Sequence, residues 1–145
     1  MKKFILIALL SVIISPVFAG GVAYINYDKV FENYQYAKTA MREIETKANE
    51  IQNYLKQKEA EFNKLESPIQ KQKFEATVQA ELKTKEAAFN DFRNKREEAV
   101  YTKIFAAAEK VRIEKGFDAI LDARCVFSGG IDISDQIINV LNNSR

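Results

Sequence analysis

Two long stretches of the chain place apolar residues three and four positions apart, which is the spacing of an amphipathic helix. The first stretch keeps one apolar seam, interrupted by Lys58, through Met41, Ile44, Ala48, Ile51, Leu55, Phe62, Leu65 and Ile69. The second follows Phe74, Val78, Leu82, Phe89 and Phe92 and, after a shift in phase, Val100, Ile104, Ala107 and Val111. Charged residues fill the positions between them, so the pattern predicts a coiled-coil seam with solvated flanks.

The segment between the two helical patterns contains the start signal of a new helix. Pro68 lacks the N–H that a helix interior needs, yet it suits the first position of a helix that Ser67 caps. Gly116 suits the end of the second helix, because glycine readily adopts a left-handed conformation. These signals predict an antiparallel helical hairpin, here called the arm, over residues 36–115, with its turn near residues 66–69. A single helix, continuous or kinked at Pro68, in a parallel rod stays open as the alternative.

Short segments rich in β-branched and aromatic residues lie at both ends of the chain. Residues 22–27 predict one strand, which Asp28 ends as the cap of a helical start. Residues 117–122 alternate like a second strand and residues 126–128 predict a third. Residues 135–141 then predict a short closing helix.

These end segments predict one small β-rich head, formed by residues 20–35 and 116–145, from which the arm leaves and to which it returns. The predicted fold class is therefore α+β. A head of this size is too small to bury a stable core alone, so we expect copies of the chain to associate through it.

The first nineteen residues have the pattern of a secretory signal peptide. Lys2 and Lys3 precede an apolar run over residues 4–14, and short side chains end the segment, so we predict cleavage between Ala19 and Gly20. A membrane anchor is the alternative, but the run is shorter than the roughly 20 residues that a span needs. The chain is therefore predicted to be exported.

Composition argues against catalysis. The 145 residues include no His, no Trp and one Cys, which removes the commonest general base, the commonest metal ligand and any disulfide within the chain. The formal charge of +2 disappears when Lys2 and Lys3 leave with the signal. The arm is mildly basic and the head acidic, a contrast too weak for nucleic-acid binding. We predict no enzyme activity, no cofactor, no metal site and no nucleic-acid partner.

Three segments that flank the charged hairpin occur in an order that can be compared with known families. They are AYINYDKVFENY at residues 23–34, EKGFDAILD at 114–122 and GIDISDQI at 130–137. Their order and spacing resemble the Skp/OmpH family of periplasmic chaperones for outer-membrane proteins, over essentially the whole mature chain. The resemblance implies a homotrimer in which small β heads assemble and helical arms surround a cavity. It also implies that this cavity holds unfolded outer-membrane proteins without ATP, in the periplasm.

A chaperone of this kind binds clients through many weak contacts. The candidate client-binding side chains are the aromatic residues of the arm, Tyr54, Phe62, Phe74, Phe89, Phe92, Tyr101 and Phe105. Each is also compatible with packing of helix against helix, Phe62 and Phe89 above all. Candidate contacts with an anionic membrane surface are Lys64, Lys71 and Lys73, although such a run usually forms a solvated face. We assign Tyr24, Ile25, Val126, Phe127, Ile131 and Ile133 to the core and to the interface between protomers.

Two other functions stay open. The chain is also compatible with a structural envelope tether or scaffold, whose coiled coil would bridge fixed partners. The phase shift after Phe92 and the polar Lys58 argue against it, because they indicate arms that bend. The second is an exported enzyme or thiol protein that uses Cys125. Without a His or a second Cys we expect a buried structural thiol, with a disulfide between protomers as the other possibility.

Two acidic pairs are compatible with a hard cation, namely Asp118 with Asp122 and Asp132 with Asp135. Asp132 and Asp135 fit better as caps of the last helix.

Overall fold

A computed structural model describes residues 20–143, so the predicted signal peptide and its cleavage point lie largely outside the described residues. The described chain is mostly helical with one small sheet. Its elements are β1 (Val22–Ile25), α1 (Tyr27–Asn33), α2 (Gln35–Phe62), α3 (Pro68–Lys115), β2 (Ala119–Asp122), a one-turn 3-10 helix (Ala123–Cys125), β3 (Ile131–Asp132) and α4 (Ser134–Asn143).

The sheet joins the two ends of the described chain. Its strand order is β2-β1-β3, and β1 pairs in parallel with both neighbours. In this register Val22 lies opposite Ala119, and Ala23 lies between Ile120 and Ile131. The predicted head segments therefore meet in one sheet, although the strands come from opposite ends of the sequence.

The third strand was predicted in the wrong place. The Asp122 side chain accepts a hydrogen bond from Arg124 N, which bends the chain into the 3-10 helix directly after β2 and takes residues 126–128 out of the sheet. The chain turns back at Gly129 and Gly130, whose φ angles of 82° and 84° favour glycine. The strand then forms at β3.

The first helix also begins two residues earlier than predicted. The Asn26 side chain accepts from Lys29 N at 3.0 Å, so Asn26 is the N-cap and Asp28 lies within the first turn of α1. A break at Tyr34 separates α1 from α2, and the side chain of Asn142 in α4 bridges it. This amide accepts from Gln35 N and donates to Asn33 O, both at 3.0 Å.

The predicted limits of the long helix are confirmed. Ser67 has the extended conformation of an N-cap and Pro68 is the first helical residue, although the Ser67 side chain makes no capping bond. Gly116 ends the helix in the left-handed conformation, with φ 73°. Helices α2 and α3 are antiparallel, since Glu43 contacts Arg96 near the head and Phe62 contacts Phe74 near the turn.

The core lies where the sheet, α1, α4 and the near ends of α2 and α3 meet. Its fully buried side chains include Val30, Val100, Val111 and Ile137, together with the polar Ser134. From residue 45 to residue 99 every side chain is at least partly exposed. The distal arm is therefore a two-helix structure without an enclosed core.

Candidate functional site

The apolar seam of the arm is open to solvent along one side. Two cavities follow each other between α2 and α3, of about 340 Å³ toward the head and about 420 Å³ toward the turn. We call this surface the arm groove, lined by Ile51, Leu55 and Phe62 of α2 and by Phe74, Val78, Leu82, Phe89 and Phe92 of α3. Two helices cannot cover both sides of a shared seam, so its side chains pack against each other and still face water.

The structure brings most of the predicted client-binding residues into this groove. Phe62 and Phe74 line the cavity near the turn, and their ring centres are 6.3 Å apart. Phe89 and Phe92 line the cavity nearer the head. Tyr54 lies on α2 between the residues that line the two cavities.

Two of the predicted residues lie elsewhere. Tyr101 and Phe105 stack on each other at the base of α3, with ring centres 6.3 Å apart. They are 57% and 60% exposed although Val100 and Ile104 beside them are buried, so they belong to the outer face of the arm base.

A polar cluster interrupts the groove at Tyr54. The Tyr54 hydroxyl donates to Glu81 Oε2 at 2.5 Å across the two helices, and this bond raises the pKa of Tyr54 to about 12. Lys58 pairs with Glu61 Oε2 at 2.8 Å, and its Nζ lies 5.7 Å from the Tyr54 ring centre and 5.6 Å from that of Phe74. The lysine that breaks the seam in the sequence therefore contributes its cation to the aromatic rows on both helices.

Every aromatic ring of the groove, and that of Tyr54, has a cation over it. Lys71 Nζ lies 5.2 Å from the Phe62 ring centre, and Lys85 Nζ lies 4.7 Å from that of Tyr54. Arg93 and Arg96 cover Phe89 and Phe92, four residues before them on α3. Sequence reasoning missed this feature. The four-residue spacing between each phenylalanine and its arginine on α3 could have predicted the arginine contacts. The lysines of α3 contact rings of α2, and these contacts depend on the register of the two helices, which only the structure gives.

The three lysines predicted for membrane contact differ in their surroundings. Lys64 and Lys73 are exposed near the turn. Lys71 is half-buried over Phe62, so part of its side chain belongs to the groove.

The head residues assigned to the core and the interface divide by exposure. Ile25 and Ile133 are buried in the chain's own core, while Tyr24 and Val126 are half-buried. Ile131 is 55% exposed and Phe127 is entirely exposed. The last two, with Val22 and Leu121, leave apolar surface on the head.

The expectation of a buried thiol is wrong. Cys125 is exposed and unpaired, because it ends the one-turn 3-10 helix on the surface of the head.

Three carboxylates of the two acidic pairs, those of Asp122, Asp132 and Asp135, have protein partners. Arg124 donates to Asp122 and lowers the pKa of that carboxyl to about 2. Asp132 Oδ1 accepts from Ser134 Oγ and from Ser134 N at the start of α4, as the capping interpretation predicted for Asp132. Asp135 lies within the first turn of α4 and pairs with Lys29 at 2.8 Å, so its predicted role as a cap is wrong. Residues 20–143 contain no cluster of three or more potential metal ligands. Within the same range, no helix has the length and apolar character needed to cross a membrane.

Comparison with known proteins gives concordant results. The family model for outer membrane protein (OmpH-like) matches residues 21–141. A Skp-like protein of Chlamydia muridarum is 26% identical over 170 residues, covering 99% of this chain and 98% of that protein. The crystal structure of a candidate outer membrane chaperone (OmpH-like) from Caulobacter crescentus superposes with a TM-score of 0.50. The match has 15% identity and covers 85% of this chain and 84% of the other, and at that identity it shows a shared fold.

Proposed function

The chain belongs to the OmpH-like outer membrane protein family, and we propose that it is an ATP-independent holdase that binds unfolded outer-membrane β-barrel proteins and prevents their aggregation in the periplasm. The observation that carries this proposal is the arm groove. Over residues 45–99 the chain keeps a row of apolar and aromatic side chains, interrupted by the polar cluster at Tyr54, that are neither buried nor fully solvated.

Such a row suits a client without fixed structure. Unfolded β-barrel chains carry apolar residues at every second position and expose backbone groups that pair with other chains. A shallow groove contacts these side chains weakly at several points, and the contacts add through avidity when several arms act together. A surface that must release its client unchanged needs many weak contacts, and the groove has no deep pocket that would retain one residue.

The head supports association of three copies in the proposal. Three of its exposed apolar residues, Val22, Leu121 and Ile131, belong to a sheet of three short strands whose outer edges are open among the described residues, and the exposed Phe127 lies in the segment between β2 and β3. Pairing of these edges with neighbouring heads would cover both the apolar surface and the unpaired backbone. A homotrimer would place three arm grooves around one cavity.

Export also belongs to the proposal. The signal peptide predicted over residues 1–19, with cleavage between Ala19 and Gly20, would deliver the chain to the periplasm. Weak contact of Lys64, Lys71 and Lys73 with an anionic membrane surface stays a prediction, which salt-sensitive binding to anionic vesicles would test.

The test combines mass with protection of a client. Light scattering on the mature protein alone should give a mass of about three chains. After a urea-unfolded outer-membrane barrel protein is diluted into the sample, the mass should rise by that of one client chain. Turbidity should be suppressed in the same samples. A stable oligomer that leaves turbidity unchanged would instead favour a tether, and a monomer would contradict the proposed assembly.

A deletion variant separates the head from the arm. Removing residues 47–96 takes away both cavities of the groove and leaves every buried residue in place. We expect this variant to keep the mass of the oligomer and to lose protection of the client. Cys125→Ser should protect as well as the parent protein, whereas loss of protection in Cys125→Ser would favour the thiol function.

A further inference from the structure

We propose that the arm groove prefers client segments that carry carboxylates at their two ends and apolar side chains between them, with Lys71 and Lys85 as the two carboxylate contacts. This inference rests on the proposed function, because it names the class of segment that the groove takes.

The first argument is the position of the two lysines. Both belong to α3 and both reach across to rings of α2, Lys71 to Phe62 and Lys85 to Tyr54. Along α3 they flank the residues that line the larger cavity, from Phe74 to Leu82. A segment that lies over this cavity therefore has one ammonium group near each end.

The second argument is that these ammonium groups are available. Within residues 20–143 neither Lys71 nor Lys85 has a carboxylate within 4.0 Å, whereas Lys58 is paired with Glu61. The rings of Phe62 and Tyr54 are only half-buried, so the cations over them are held weakly and a carboxylate can draw them to the rim of the groove. The ring face that each cation leaves is then open to an apolar side chain of the client.

The third argument concerns the middle of the segment. Glu59 and Glu75 line the same cavity between the levels of the two lysines, and Lys58, which also lines it, is paired with Glu61. The two glutamates disfavour a client carboxylate between the two ends and leave apolar contact as the favourable interaction there. The charges of the cavity thus favour a particular order of acidic and apolar residues in the client segment, and not only a negatively charged segment.

The spacing of the pattern follows from helix and strand geometry. Lys71 and Lys85 are fourteen residues apart on α3, which is about 21 Å at a rise of 1.5 Å per residue. An extended chain covers this distance in about six residues at roughly 3.3 Å each. Six is an even number, so both carboxylates and the second and fourth residues between them point to one face. The preferred pattern is acidic-x-apolar-x-apolar-x-acidic.

Three fluorescent peptides test the pattern, each with a single seven-residue unit. The first unit is Glu-Thr-Phe-Thr-Val-Thr-Glu, the second has Gln in place of both Glu, and the third is Phe-Thr-Glu-Thr-Glu-Thr-Val, which has the composition of the first. Fluorescence anisotropy with the full-length mature protein should show the first peptide bound about threefold to tenfold more tightly than either other peptide, as expected for partly exposed ion pairs. Equal affinity for the first and third peptides, or binding of none, would overturn the proposal.

Two double variants separate local contact from overall charge. Lys71→Gln with Lys85→Gln removes the two cations over the rings. Lys73→Gln with Lys83→Gln removes two exposed lysines that lie on α3 between Lys71 and Lys85. Neither of these two lysines covers an aromatic ring among the described residues. Gln is nearly as good a helix former as Lys, so both variants should keep the helical content. We expect the first variant to lose the preference for acidic ends and the second to keep it within about twofold. An equal loss in both would show that overall charge acts, and would refute the proposal.

Protection of an unfolded barrel protein in the turbidity assay tells the two proposals apart. If the protein protects the client but shows no preference among the peptides, this inference fails and the holdase function stands. If it does not protect the client, the proposed function itself fails.

Discussion

Replacing Ser134 by Ala should destabilise the head, because Ser134 joins the two ends of the chain. Its hydroxyl is buried, accepts from Asn26 N at 2.9 Å and donates to Asp132 Oδ1 at 2.5 Å. Alanine leaves the Asn26 N–H without its acceptor, at about 1–3 kcal/mol, and removes one bond to an exposed carboxylate, at about 0.5–1 kcal/mol. We expect a loss of about 1.5–4 kcal/mol in the free energy of unfolding, a large part of the 5–15 kcal/mol that is typical of a domain.

Urea unfolding followed by far-ultraviolet circular dichroism at fixed protein concentration measures this loss, with Ser128→Ala as the exposed control. The effect should also depend on pH. Hydrogen bonds from the Ser134 hydroxyl and N–H hold the pKa of Asp132 below its ordinary value of 3.8. This part of the stability is present above pH 3.8 and is lost as the pH falls through the lower folded pKa. The difference between the parent and Ser134→Ala should narrow below pH 3.8. Equal stability of the Ser134 and Ser128 variants would refute the reasoning.

Three further substitutions probe the backbone, the arm and the core. Gly116→Ala should lower the free energy of unfolding by about 1 kcal/mol, because a Cβ is unfavourable at the left-handed φ of 73° although it would meet no atom within 4 Å. Thermal unfolding would measure this loss of stability. Glu81→Gln should lower the pKa of Tyr54 from about 12 toward 10.0. Tyrosinate absorbance measures this change, with Tyr54→Phe as the control that identifies the signal of Tyr54. In the parent protein the hydrogen bond from Tyr54 to Glu81 should be lost as the pH rises from 10.0 toward 12. Ile137→Ala should cost about 2–5 kcal/mol in urea unfolding, whereas Ile69→Ala, at a site that is 67% exposed, should cost less than about 0.5 kcal/mol.

Local signals in the sequence were sufficient for several parts of the fold. The start of α3 at Pro68 and its end at Gly116 depend on properties of those residues alone, so both were predictable. The strand expected at residues 126–128 was wrong because one side-chain bond, from Arg124 N to Asp122, outweighed the local preference for a strand. The bridge from Asn142 to the break at Tyr34 joins residues more than a hundred positions apart, and no periodicity records it.

The candidate site was predictable in its residues and not in its chemistry. Phe62 and Phe89 were expected on the seam and Phe74 off it, and these three line the arm groove together with Phe92. The lysines over Phe62 and Phe74 depend on the register of α2 against α3, which apolar spacing does not fix. The exposure of Cys125 follows from the same bend after β2 that displaced the third strand.

The parallel sheet has a consequence for how the chain folds. Strand β1 pairs with β2 and β3, which lie more than ninety residues further along, so the head closes a long loop. A flexible loop of that length would cost about 4 kcal/mol in closure entropy. The arm lowers the entropic cost of each step, because contacts between α2 and α3 can form one after another from the Pro68 turn toward the head. The strands are then brought together stepwise. The turn farthest from the sheet is thereby expected to set the rate at which the sheet forms, and a variant that disorders it should slow refolding more than it lowers stability.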